Sequence, residues 1–139
     1  MSIDAAHVPE LRRAAEAIAE AVENVQPVDG TIFTGPPYED GADLRNVTVL
    51  SGGVVDRSPC GMGTSAVMAV LDAMGLIDGS RPFVHEGIIG TRVEGRIARR
   101  STDAGVPVVA VEIAGSAWVT GEHTFVVDDR DPLRAGFRI

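Results

Sequence analysis

Apolar residues recur at Leu11, Ala15, Ile18, Val22 and Val25. Spacings of four and three predict a helix over residues 8–25 with one apolar stripe. Arg12, Arg13, Glu16, Glu20 and Glu23 form its wet face, Pro9 suits its first turn, and Pro27 and Gly30 end it. Residues 31–45, with Gly35-Pro36-Pro37 and the charged run Glu39-Asp40-Gly41-Ala42-Asp43, read as a surface loop. A strand is expected at 46–50, a break at Gly52-Gly53, and a short resumption at Val54-Val55. From about Gly63 to Met74 the chain is apolar on every side, with Asp72 the only charge. That pattern predicts a buried helix, and Gly75 suits its left-handed C-cap.

The rest reads as β. A strand is expected over 83–89, and residues 92–99 alternate polar and apolar, as a strand with one wet face does. Residues 106–113 are largely apolar with a break near Pro107. Two further strands are expected at 116–120 and 124–127, with Gly115 and Gly121 at turns or bulges. Residues 128–132 read as a loop. The order predicts an α+β fold, a curled mixed or antiparallel sheet around a buried central helix.

The 139 residues are a single-domain length and 45% hydrophobic, enough for a real core. Aromatics are only 4%, so small and β-branched residues carry the packing. A net charge of −8 without a Lys/Arg stripe speaks against nucleic acid and against an anionic membrane surface. No apolar run approaches the ~20 residues of a membrane span. The N-terminus lacks the basic-then-apolar pattern of a signal peptide. One cysteine forms no internal disulfide, so a cytoplasmic, reducing location is expected.

That cysteine lies in Asp56-Arg57-Ser58-Pro59-Cys60-Gly61-Met62-Gly63-Thr64-Ser65-Ala66, where a strand hands over to a helix. A helix start exposes unpaired N–H groups and the positive end of the macrodipole. Gly61 and Gly63 let a ligand approach the backbone, which makes an anion pocket sized for a carboxylate or phosphate. The same field favours a thiolate, so Cys60 is placed to be a base or nucleophile. Asp56, at the strand end, is placed to hold a cationic group beside the anion. Carboxylate and ammonium sites side by side describe an amino acid. A lone cysteine is more often an inert packing residue, and a glycine pair beside a helix is more often turn chemistry. No Gly-Lys-Ser/Thr follows, which argues against a phosphate loop. His7, His85 and His123 do not give metal-ligand spacing with Cys60, and no zinc or other metal site is expected. Nothing places an imidazole near the thiol for a Cys-His hydrolase. A thiol redox role stays open as a lower reading.

The motif closely resembles the second-cysteine motif of the proline racemase and hydroxyproline epimerase family. Arg45-Asn46-Val47, His85-Glu86-Gly87-Ile88-Ile89-Gly90-Thr91, Glu94-Gly95-Arg96-Ile97, Thr120-Gly121-x-His123-x-Phe125, Asp131-Pro132-Leu133 and Gly136-Phe137 are similar to it too. The resemblance implies one lobe of a diaminopimelate epimerase-like fold, with residues 1–139 a single partial domain from the C-terminal portion. It implies cofactor-free racemisation or epimerisation of proline or hydroxyproline. Cys60 then resembles the second acid/base, Asp56 a ligand of the substrate nitrogen, and Gly61, Met62, Gly63 and Thr64 the carboxylate-binding turn.

Three residues depart from the family pattern: Met62 for a usual Thr, Gly87 for a usual Ser, and Glu122 for a usual aromatic. Cys60 separates the chain from the dehydratase branch, which carries Thr there. The family's first lobe, with its Met-Cys-Gly-His motif, is not in these residues. Pairing with a separately encoded first half, or self-association, is therefore expected. An inactive imino-acid binding lobe is the alternative.

Overall fold

The computed structural model describes residues 2–22, 24–25 and 27–136. A short 3₁₀ turn, Ala5–His7, is capped by the Asp4 carboxylate, which accepts from the Ala6 and His7 amides. Helix α1, Val8–Val22, follows directly. Strands β1 (Gly30–Gly35), β2 (Leu44–Leu50) and β3 (Val54–Val55) precede helix α2 (Gly61–Ala73). Strands β4 (Phe83–Glu86), β5 (Arg92–Asp103) and β6 (Val106–Gly115) complete the regular structure.

The six strands among the described residues form one mixed sheet, five of them in the order β1-β2-β4-β5-β6 and β3 paired with β2 off this path. The β2–β4 pairing is parallel, and the other pairings are antiparallel. The lone β3 pairs with Val49 and Leu50 at one end of β2, while β4 pairs with Leu44 and Arg45 at the other. Both lie on the same side of β2, so the sheet is split alongside Asn46–Thr48. The loop from β3 to α2 passes through this split. There the Asp56 amide donates to the Thr48 carbonyl at 2.9 Å. The helices sit on opposite faces. Under α1, Leu11, Val47 and Ile88 form a core joined by Ile3, Val8, Phe33 and Val55. Under α2, the buried Met68 lies directly on Gly95 of β5, where a side chain would collide with its sulfur.

Several expectations are corrected. The first helix ends at Val22 rather than 25, and Val25 turns back to the Val22 carbonyl with its side chain exposed. Glu23, assigned to its wet face, lies outside the described residues, as does Phe137 of the C-terminal resemblance. Residues 30–35 are a strand and not part of a loop; Thr31-Ile32-Phe33-Thr34 is β-branched and aromatic, and β2 supplies its hydrogen bonds. The 83–89 strand stops at Glu86, where Gly87–Gly90 turns the chain and sends Ile88 into the α1 core. No break occurs at Pro107, because β6 is an edge strand and tolerates a missing N–H. Ala104 and Gly105 join β5 to β6 as a tight turn with positive φ at both positions. Residues 116–127 form no strand and are exposed. Helix α2 begins at Gly61, two residues early, and only Thr64 and Met68 of it are buried. The sheet covers one of its faces, leaving Met62, Val70 and Met74 exposed. Among the described residues, no helix is long and apolar enough to cross a membrane.

Candidate active site

Cys60 caps α2 with its own thiol. Its Sγ accepts the Gly63 N–H at 3.3 Å, and its carbonyl accepts the Thr64 N–H at 2.8 Å. Its backbone has φ 57° and ψ 109°. Among the described residues only Cys60 and Ala104 combine a side chain with positive φ. Such strain persists only where the surroundings impose it, and it clusters at functional sites. Here the surroundings are a chain of hydrogen bonds: the Cys60 N–H donates to Ser58 Oγ at 3.1 Å, and that hydroxyl donates to Asp56 Oδ1 at 2.8 Å. The same oxygen accepts the Ser58 N–H, also at 2.8 Å. Asp56 thereby sets the turn that presents the thiol. The residue as a whole is 9% exposed.

From beneath, the turn is held by β4. Thr64 is fully buried and its hydroxyl donates to the Pro59 carbonyl at 3.1 Å. With its proton so used, that hydroxyl accepts from His85 Nδ1 at 3.0 Å. Burial pushes the His85 imidazole down from 6.5 to about 4, with the Asp43 carboxylate opposing weakly, so the ring is neutral at physiological pH. Pro59 packs against Gly87, where a side chain would come within 3.1–3.2 Å of the proline nitrogen and ring. The absence of a side chain at position 87 gives the Pro59–Cys60 turn its close seat.

A polar strip of β2 lies under the same turn. Asn46 is fully buried, and neither its Oδ1 nor its Nδ2 has a partner. Thr48 is 6% exposed and its hydroxyl is also without a partner. A side chain at Gly63 would meet Ile32 Cδ1 at 2.8 Å, Thr48 Oγ1 at 3.0 Å and Cys60 Sγ at 3.4 Å. The Thr48 hydroxyl and the thiol thus border one small space left by a glycine.

The opposite face of the sheet carries a structural ion pair. Glu86 is buried against Arg45, with Nε 3.7 Å from Oε1, and its other oxygen accepts the Tyr38 and Glu39 amides at 3.3 Å. Arg45 also donates to the Ile88 carbonyl and lies over the Tyr38 ring. This cluster fastens the 36–43 loop.

The structure therefore brings Asp56, Cys60, Gly61, Met62, Gly63 and Thr64 together at one turn. Gly61 and Met62 are exposed, and as the first helical residues their amides have no intrahelical acceptor. The Gly63 amide serves the thiol, and the Thr64 side chain points inward. A groove of about 360 Å³ opens beside Asp56 and Pro59, walled by Ile89, Arg92 and Val93. His7 pairs with Asp4, and His123 lies in the exposed C-terminal segment, so neither joins the site. Sequence reading missed Ser58, Asn46 and Thr48 as members of this cluster. The signal available for the last two was a polar alternation within an otherwise apolar strand.

The family model described as proline racemase matches residues 3–138. A 4-hydroxyproline epimerase from Brucella ovis is 44% identical over 108 residues, which are 78% of this chain and 32% of that protein. A trans-3-hydroxy-L-proline dehydratase from Bacillus cereus is 43% identical over 115 residues, 83% of this chain and 34% of that one. A hydroxyproline epimerase from Agrobacterium vitis, solved with bound trans-4-hydroxy-L-proline, superposes with a TM-score of 0.80 at 30% identity. It covers all of this chain and 43% of its own. A probable proline racemase from Agrobacterium radiobacter K84, with bound carbonate, also reaches 0.80, at 28% identity over all of this chain and 44% of its own. The chain spans about a third of the length of the curated relatives it matches. With a match running almost end to end, the chain belongs to the proline racemase family.

Proposed function

We propose that this chain supplies one side of the acid/base machinery of a cofactor-independent isomerase that inverts the α-carbon of proline or hydroxyproline. The observation that carries the reading is Cys60, held in a strained conformation as the thiol N-cap of α2. As thiolate it takes the α-proton from one face of the substrate. The C–H bond breaks, the S–H bond forms, and the electron pair passes into the carboxylate. The exposed Gly61 and Met62 amides bind that carboxylate and gain strength as its charge grows. Gly63 and Thr64 hold the turn, and the outer oxygen of Asp56 accepts from the ring ammonium. Inversion requires a proton delivered to the opposite face. These residues hold one cysteine, so the second acid comes from residues outside them, on the same or another polypeptide. A reducing, cytoplasmic setting keeps both thiols free.

The exposed apolar stripe along α2, with Met62, Val70 and Met74, supports a covering lobe over this face. Overall identity does not separate isomerase from dehydratase relatives; Cys60 is the residue that favours the isomerase. The test is chiral chromatography of L-proline and trans-4-hydroxy-L-proline incubated with the chain plus a Met-Cys-Gly-His first half from a relative. Epimer should form, and Cys60→Ala should abolish it. No epimer from either substrate contradicts the reading.

The single cysteine favours one second reading, an imino-acid binding lobe without turnover. Calorimetric binding of pyrrole-2-carboxylate with no epimer formed would select it, and no binding would remove it.

A further inference from the structure

We propose that Thr48 is a positioning residue for the Cys60 thiolate, its hydroxyl serving as a second hydrogen-bond donor beside the Gly63 amide. A buried hydroxyl without a partner is costly, and here it stands at the wall of the space it shares with Sγ. Among the described residues the Gly63 amide is the one donor to Sγ, and a thiolate has room for more than one. The space between them is kept open by glycine: a side chain at position 63 would press on Thr48 Oγ1 and Sγ together. The hydroxyl and the sulfur are not hydrogen-bonded in the thiol form. When the thiol loses its proton, the sulfur becomes a charged acceptor, and a small rotation about the Thr48 Cα–Cβ bond brings the O–H onto it. A charge-assisted bond of this kind favours the thiolate over the thiol. Thr48 touches no substrate in this account and acts only through Cys60.

The inference rests on the reading of Cys60 as a proton-transfer group, but its test does not need turnover. Cys60 is the sole cysteine, so iodoacetamide reports on it alone, and the rate is followed against pH in the intact chain. Thr48→Val keeps the shape and removes the donor. The expected result is about a tenfold or greater slowing of alkylation at pH 7, the size of one lost bond to a charged acceptor, with the profile moved to higher pH. Thr48→Ser should restore both the rate and the profile. Should Thr48→Val fail to fold, Thr48→Ala lacks the same donor and must show the same displaced profile. A variant without the hydroxyl whose profile superposes on the parent overturns the proposal, as does a Thr48→Ser profile displaced like that of Thr48→Val. An inactive isomerase with these shifts intact would sink the proposed function and leave the Thr48 role standing.

Discussion

Thr64 Oγ1 and His85 Nδ1 lie 3.0 Å apart with both residues fully buried, which ties the first turn of α2 to β4. Because the same hydroxyl donates to the Pro59 carbonyl, one side chain joins the helix, the strand and the turn that carries Cys60. Thr64→Val is expected to lower stability by about 1–3 kcal/mol, since it strands a buried imidazole nitrogen and a carbonyl. Urea unfolding checks this, with Thr64→Ser recovering most of the loss.

The same imidazole sets an acid limit. His85 ionises near 6.5 when unfolded and near 4 when folded, because burial disfavours its cation. Between those values the unfolded chain binds more protons, so stability rises with pH. The contribution is fully present above about 6.5 and is lost as pH falls toward 4. His85→Gln should flatten this part of the stability profile relative to the parent, measured by urea midpoints at pH 7 and 5. Equal slopes would show that His85 does not carry the effect.

Gly95 admits α2 onto the sheet. Its α-carbon lies under the Met68 sulfur, and Met68 is 2% exposed with little freedom to retreat. Gly95→Ala should cost about 1–3 kcal/mol by overpacking. Combining it with Met68→Ala should give less than the sum of the two single losses, because the second change vacates the space that the first needs.

Glu86 is buried beside Arg45 and accepts two loop amides. Glu86→Ala should destabilise by about 3–5 kcal/mol, since it leaves a half-buried guanidinium without its carboxylate. Thermal unfolding measures this, and limited proteolysis within residues 36–43 should quicken.

The Cys60 turn was legible because its punctuation is local. A glycine pair after a cysteine, followed by an apolar run and a glycine C-cap, specifies a helix start and end without tertiary information. The strand β1 was hidden because Thr31–Thr34 is a short run between glycines, and its strand character comes from β2 across the sheet. Residues 116–127 show the reverse error. Trp118-Val119 and Phe125-Val126 are the β-branched and aromatic pairs of two short runs with Gly121 between them, but no strand of this sheet pairs with them and they lie exposed. The apolar character of α2 predicts burial on every side, whereas the sheet covers a single face and only Thr64 and Met68 are buried. Thr48 could not be recognised from sequence, since its importance depends on which side chain α2 withholds at Gly63.

The most direct test of Cys60 as a one-face acid/base is deuterium wash-in at the substrate α-carbon, followed by proton NMR in deuterated water. The chain completed by a Met-Cys-Gly-His half should exchange the α-proton of both epimers of hydroxyproline. Cys60→Ala should abolish exchange for the epimer whose proton faces Cys60. Undiminished exchange of both epimers by Cys60→Ala, or none by the completed parent, would contradict the account.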